Sequence, residues 1–439
     1  MLGVLANRTY RHLFLAQVVS LVGTGLATVA LGLLAFNLAG DRAGAVLGTA
    51  LAIKMVAYVG VAPIAAAFAE RLPRRGMLVA LDLVRAAVAL ALPFVTEIWQ
   101  VYLLIFLLQS ASAGFTPTFQ ATIPDVLTDE REYTNALSLS RLAYDLESLI
   151  SPMLAAALLT VISFHSLFAG TVVGFLLSAA LVLSVRLPSP KPAAPRGIWD
   201  RTTRGIRLYL ATPRLRGLLA LNVAVATAGA MVIVNTVVLV KSAFGRGDAD
   251  VALALAAFGA GSMVAALVLP RLLERVPDRG AMLAGAGILA GGMLVGPIAS
   301  DLGSLAPLWF VVGLGYSLTQ TPTGRLLRRS AHAEDRPALF AAQFALSHAC
   351  WLAAYPLAGR LGAAAGFEVT FLVMAVLSAL AVLVASRLWP AADPDIVPHA
   401  HTDLEAGDPH LSAAPLDEQG RHVHAFVIDE LHTVWPRSA

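Results

Sequence analysis

Polar residues in this chain are short punctuation between long apolar runs. The runs fall at residues 12–37, 44–69, 77–96, 100–120, 135–162, 166–185, 216–240, 250–273, 280–300, 305–323, 338–362 and 367–388. A helix needs roughly 20 apolar residues to cross a bilayer, and every run reaches or approaches that length. Six runs precede and six follow Leu187–Arg216, where Pro188, Pro190, Pro192 and Pro195 lead into a basic stretch suited to a short surface helix. The pattern predicts an all-α integral membrane protein with twelve transmembrane helices in two six-helix halves. Its parts are an N-terminal half over 1–186, a cytoplasmic linker over 187–216, a C-terminal half over 217–388 and a histidine-bearing cytoplasmic tail over 389–439.

Composition sharpens this picture. Hydrophobic residues make up 58% of the 439 and charged ones only 13%, about half the share of charge in a soluble domain. Mean hydropathy is +0.74. A soluble enzyme, a disordered chain and a nucleic-acid-binding protein are excluded. No Gly-rich phosphate loop ending in Lys occurs, so ATP does not drive the protein directly and neither a cofactor nor an enzymatic activity is expected. The single cysteine, Cys350, precludes a disulfide within the chain. The stretch Met1 to Arg11 opens onto an apolar run too long for a signal peptide and is expected to remain as part of the first span. Lys and Arg set the orientation: with the N-terminus in the cytoplasm, 24 of the 31 fall in cytoplasmic segments. Both termini are then cytoplasmic, and the lipid bilayer is the first partner.

The two groups of runs are also related to each other. At an offset of 204 residues, Glu70-Arg71-Leu72-Pro73-Arg74-Arg75-Gly76 matches Glu274-Arg275-Val276-Pro277-Asp278-Arg279-Gly280, each in the loop after the second span of its half. Two six-span repeats in one orientation are the arrangement of major facilitator transporters. The loop Glu70, Arg71, Arg74 and Arg75 resembles that superfamily's signature between spans two and three, with Glu70 where the family usually has Asp. Phe119-Gln120-Ala121-Thr122-Ile123-Pro124-Asp125 and Asn135-Ala136-Leu137 resemble the segment before span five of macrolide efflux permeases. The opening Asn7-Arg8-Thr9-Tyr10-Arg11-His12-Leu13-Phe14, the charged span Arg141 to Ser148 and the tail together resemble nickel-resistance efflux permeases of the NreB type. The resemblance implies a major facilitator fold in a bacterial-type cytoplasmic (inner) membrane, as a monomer. It implies secondary active efflux of a divalent transition metal, Ni(II) first, by proton antiport with alternating access. The alternative is proton-coupled export of a macrolide-type drug, a small hydrophobic solute, favoured if aromatic side chains rather than ligands line the path.

Charges inside spans are costly, about 2.5 to 3.5 kcal/mol each on insertion scales, and so invite functional readings. Asp82 and Arg85 lie shallow in the third span, placed to pair with each other at i, i+3 or to brace the Glu70–Arg75 loop. The fifth span crowds Arg141, Tyr144, Asp145, Glu147 and Ser148 into two turns. Asp145 and Glu147 point about 200° apart around a straight helix, with Pro152 nearby to distort it. Either carboxylate is a candidate for exchanging a proton against cargo, or for a salt bridge between helices. Lys54, deep in the second span, needs an acidic partner or a watery setting, and Asp145 or Glu147 can provide the partner. Gln343, His348 and Cys350 on span eleven, with Tyr144, Gln109 and Asn235, are the substrate-site candidates. His348 can bind metal, take a proton or merely hydrogen-bond a neighbouring helix.

The tail adds a second chemistry. From Ala391 onward nine acids face two arginines. Six of the ten histidines, His399, His401, His410, His422, His424 and His432, occupy the final 41 residues. Imidazole and carboxylate at that density suit Ni(II), Co(II), Cu(II) or Zn(II). Because His-x-His places both rings on one face only in an extended segment, the expected form is a flexible chelator that orders on binding, against the plain alternative of a charged, soluble tail. The closing stretch Ala425 to Trp435 is apolar enough to dock on the cytoplasmic face.

Overall fold

The computed structural model describes residues 2–69, 73–188, 198–273, 275–332, 335–394, 396–399, 421–429, 431–432 and 434–435, with some helical side chains, notably 62–69, 145–149 and 198–202, outside the description. Its elements are helices α1 (Arg8–Ala39), α2 (Ala43–Ala69), α3 (Arg74–Ala91), α4 (Ile98–Val126), α5 (Glu130–Leu158), α6 (Phe164–Leu183), α7 (Ile198–Ala211), α8 (Pro213–Val238), α9 (Asp248–Leu272), α10 (Asp278–Val295), α11 (Leu302–Gln320), α12 (Thr323–Arg328) and α13 (Arg336–Leu388). Two short strands follow, β1 (Ile396–His399) and β2 (His422–Ala425). The protein is an all-α, multi-pass membrane chain with a small β-hairpin appended.

Among the described residues, nine stretches are long and apolar enough to cross a membrane. The twelve apolar runs of the sequence do not map onto them one to one, for physical reasons. The stretch Arg8–Val61 holds both α1 and α2, which are joined by a single turn at Gly40–Arg42. The stretch Ala342–Leu388 crosses Gly366, where φ is 79° and ψ 173°. Only glycine adopts that backbone readily, and it divides α13 into a first limb, 336–365, and a second, 367–388. Helix α5 is not among the nine, and its sequence carries Arg141, Asp145 and Glu147 in mid-helix.

Small residues decide how the helices meet. Helix α2 packs along α13, α1 along α6, α8 along α13, α5 along α9 and α11 along α9. At the end of the bundle where α1 gives way to α2, main chains touch. A Cβ on Gly44 would stand 2.6 Å from Asn235 Oδ1, and one on Gly362 2.8 Å from the same atom. Gly48 lies against the Tyr355 carbonyl and Gly359 against that of Gly44, each too close for any side chain. Asn235 Nδ2 donates to the Ala358 carbonyl at 3.0 Å, and Ser242 Oγ donates to Asp41 Oδ1 at 2.5 Å. Helices α2 and α8 and the first limb of α13 thus close this end tightly, by the small-residue contact that apolar helices use in the absence of a hydrophobic drive.

At the other end the sequence repeat reappears as contacts. Arg75 donates to the Leu183 carbonyl at the end of α6, while Arg279, 204 positions on, donates to Ser386 and Trp389 carbonyls at the end of α13, at 3.0 and 2.9 Å. Each guanidinium caps the negative pole of a helix. Arg74 pairs with Asp125. In the second copy the signs are exchanged, Asp278 facing Arg329 at 3.5 Å and Arg325 at 3.4 Å.

Candidate functional site

Between α2 and the first limb of α13, aromatic rings line a seam with one amine at its side. Tyr58 meets the His348 ring edge-on at 5.4 Å and the Phe344 ring at 5.9 Å. Phe344 and His348 lie 3.9 Å apart, one helical turn from each other on the same face. Lys54 Nζ, one turn before Tyr58, is 5.6 Å from the Tyr58 ring centre, within range of cation–π attraction. One turn further along α13, Trp351 and Tyr355 pack 4.9 Å apart. Trp351 is seated against the bare backbone of Gly229 on α8, where no side chain fits. The sequence reading missed this seam because Tyr58 and Phe344 are 286 positions apart, although the i, i+4 aromatics on α13 were there to be found.

The predicted site residues do not all converge here. Lys54 and His348 share the seam. His348 Nδ1 is turned to its own helix, donating to the Phe344 carbonyl at 2.6 Å, so only Nε2 faces outward. Cys350 is likewise engaged by its own helix, its Sγ 3.4 Å from the Leu346 carbonyl, and it does not join His348. Gln343 accepts from Tyr209 of α7, which turns it toward the linker helix. Asn235 belongs to the closed end. Gln109 is buried on α4, and Tyr144 on α5 is exposed. The side chains of Asp145 and Glu147, and residues Glu70, Arg71, His401 and His410, lie outside the described residues. Asp82 and Arg85 pair with each other. Ser178 donates to Asp82 at 2.7 Å, and the Arg85 guanidinium is sandwiched between Phe115 and Phe175 at 4.0 and 4.4 Å. The pair holds α3 to α4 and α6, with Arg85 Nε left buried without a hydrogen-bond partner among the described residues.

A second cluster stands beyond the bundle. Strands β1 and β2 pair antiparallel with His399 opposite His422, and His424, two residues on, shares the face of His422. The chain then turns so that Asp429 Oδ1 accepts from the backbone N–H groups of Leu431 and His432, at 2.8 and 2.7 Å. His399, His424 and His432 are thereby gathered, with one ligating atom from each within 4.8 Å of the others. Phe426 and Ile428 anchor the hairpin in a core with Trp389, Leu215 and Tyr209, and Trp435 packs against that core. Arg214 lies 4.9 Å below the Trp435 ring. Burial, reinforced by the neighbouring imidazoles against the pull of the Val397 carbonyl, holds His399 below its ordinary pKa. Burial works to raise Asp429, but the hydrogen bonds from His432 and Leu431 outweigh it and hold the carboxyl below its usual range. The paired strands differ from the flexible chain expected of this tail. The alternation in His422-Val423-His424 and the Val-Ile content of 425–428 were the signal for an extended segment.

A helical bundle with paired repeats, an aromatic seam between them and charged short loops defines a multi-pass solute transporter. The chain belongs to the Major Facilitator Superfamily, whose family model matches residues 13–245 and 218–428. This is a family of secondary transporters, not enzymes, that work by alternating access. Similar proteins include Macrolide efflux protein A of Enterococcus faecalis, 26% identical over 152 residues that make up 32% of this chain and 47% of that protein. The uncharacterized MFS-type transporter YfiS of Bacillus subtilis (strain 168) is 26% identical over 120 residues, 27% of this chain and 28% of that one. The matches thus span less than half the length of these relatives. Among solved structures, the fold is similar to a bacterial homolog of the human lysosomal transporter Spinster in an inward-facing and unoccupied conformation, with TM-score 0.69, 13% identity and coverage of 88% of this chain and 98% of that one. It is also similar to the nucleoside transporter NupG, with TM-score 0.68, 12% identity and coverage of 87% and 100%. The first of these relatives carries the macrolide name; the likeness to nickel permeases rests on the residues quoted for it.

Proposed function

We propose that the protein exports small amphipathic, largely hydrophobic solutes of the macrolide class across a bacterial inner membrane, exchanging them for protons. The observation that carries this reading is the seam of Tyr58, Phe344, His348, Trp351 and Tyr355, with Lys54 beside Tyr58. Aromatic faces bind large apolar surfaces with little directional demand, whereas a metal cargo requires converging donors, and His348 and Cys350 do not converge. The partial likeness to macrolide efflux proteins supports the same choice. Twelve spans fit the chain when α1 and α2 are counted separately, α13 is divided at Gly366 and α5 is included. With both termini cytoplasmic, the glycine-lined closed end faces outward, and the conformation is the one that loads from inside. Asp145 and Glu147, with Lys54 as counter-charge, are the candidates for carrying the proton.

Everted vesicles with an imposed pH gradient test the reading. A labelled macrolide should accumulate only in vesicles containing the protein, and collapsing the gradient should abolish uptake. Asp145→Asn or Glu147→Gln should do the same at unchanged membrane abundance. Ni(II) export is the second reading, favoured by the three-histidine cluster of the tail. Uptake of Ni(II) and not of macrolide would put it in first place.

A further inference from the structure

The histidine cluster has a geometry that the transport reading does not use. His399 and His432 are almost fully buried, and His424 is partly so. Their rings form a triangle with centres 4.6, 4.8 and 5.2 Å apart. Phe426 covers one side at 4.8 Å from His399 and 4.7 Å from His432. His399 Nδ1 faces the Val397 carbonyl at 2.8 Å, and His432 Nδ1 faces Asp429 Oδ1 at 2.9 Å. A carbonyl and a carboxylate can only accept, so each ring donates from Nδ1 and turns Nε2 inward. The two Nε2 atoms face one another at 3.0 Å. That separation suits a cation shared between them. Four-coordinate zinc-type ions hold imidazole nitrogens about 3.3 Å apart, so the first pair needs almost no movement, and His424, its ligating atom within 4.8 Å of theirs, needs to close by about 1.5 Å or less.

We propose that His399, His424 and His432 form a site for a divalent transition metal of borderline softness, Zn(II), Co(II) or Ni(II), with Asp429 orienting His432. An apolar cover and a carboxylate behind a ligating imidazole are what such sites use to fix ligand orientation. The site is also wired to the bundle. Asp429 Oδ2 lies 3.3 Å from His332 Nε2, just beyond α12. Asp393, before β1, binds Arg329 and Arg214 at 2.5 and 3.4 Å and accepts from Trp389 at 2.9 Å. An ion bound by His399 and His432, 33 positions apart, closes the intervening chain into a loop and removes part of the entropy that opposes docking. Occupancy therefore fastens the tail to the ends of α8, α12 and α13. This inference rests on neither cargo reading.

The test uses full-length protein, purified without a polyhistidine tag, stripped with chelator and titrated with Co(II) in lipid nanodiscs. One equivalent should give a visible d–d band, displaced by Zn(II). His399→Ala and His432→Ala should weaken binding at least tenfold, Asp429→Asn about 10- to 100-fold, and His348→Ala not at all. His432→Cys, which keeps a ligand in place and so guards against loss of the fold, should add a thiolate-to-cobalt charge-transfer band. Zn(II) should also slow tryptic cleavage at Arg421 at least fivefold in the unmodified protein and not in His399→Ala. Binding that survives both alanine changes, or no thiolate band, would overturn the site and leave a proton shared between the two rings. Equal cleavage with and without metal would overturn the docking role. Binding and cleavage are read without transport, so failure here is distinguishable from failure of the export reading.

Discussion

Asp82 and Arg85 show how a residue pair can be charged, intramembrane and still structural. Both are buried, Ser178 donates to Asp82, and Phe115 and Phe175 lie on either side of the Arg85 guanidinium. Removing one partner strands a buried charge, at a cost of about 3–5 kcal/mol. Arg85→Ala or Asp82→Ala should therefore lower the midpoint of thermal unfolding in detergent sharply, and the double change Asp82→Leu with Arg85→Met should recover most of it. The loop pairs give a second residue-scale expectation. Arg74 with Asp125 and Asp278 with Arg329 occupy equivalent places with opposite polarity. Exchanging the first pair, Arg74→Asp with Asp125→Arg, should be tolerated, while either single change places like charges together. Partly exposed pairs of this kind are worth about 1 kcal/mol or less, so the signature is a small loss in each single variant and its reversal in the double, read in the same melting assay.

At the scale of elements, glycine does most of the positioning. Gly48 and Gly359 let α2 and α13 touch through their main chains. Gly359→Val should wedge them apart, opening the closed end while the rest of the bundle stands. A single cysteine near Asn235, in a Cys350→Ala background, should then react with a membrane-impermeant thiol reagent from the side that is sealed in the parent. The apolar periodicity made most of these helices legible in the sequence, including the division of α13, because Gly366 lies in the gap between the runs 338–362 and 367–388. The 204-residue offset also carried the loop pairs, since Asp125 and Arg329 stand 204 apart as well. Contacts between distant elements were not legible. Nothing local announces that Tyr58 meets Phe344, or that Gln343 turns to Tyr209 and away from His348. The tail was half legible: its histidines declared a donor set, but the pairing of β1 with β2 depends on a core contributed by α8 and α13.

The whole molecule works only if its ends open alternately. Asp41 and Ser242 sit in contact across the closed end, one from the α1–α2 turn and one just past α8. Cysteines at both, again without Cys350, joined by a short thiol cross-linker, should stop transport, and cleaving the linker should restore it. Topology is checked separately by single cysteines at Glu97 and Arg186. The first should label from outside the cell and the second only after permeabilisation, and the reverse pattern would invert the proposed orientation.

The glycine contacts that seal the bundle also bear on efficiency. A barrier made of side chains can fray one rotamer at a time, and each partial opening lets solvent and ions slip past unaccounted. Here main chain meets main chain where Gly48 faces Tyr355 and Gly359 faces Gly44, with the Asn235 side chain and the Asp41–Ser242 pair beside them. Opening therefore has to part the main chains themselves, since no change of rotamer at a glycine can do it in their place. The expected consequence is a seal that resists partial opening.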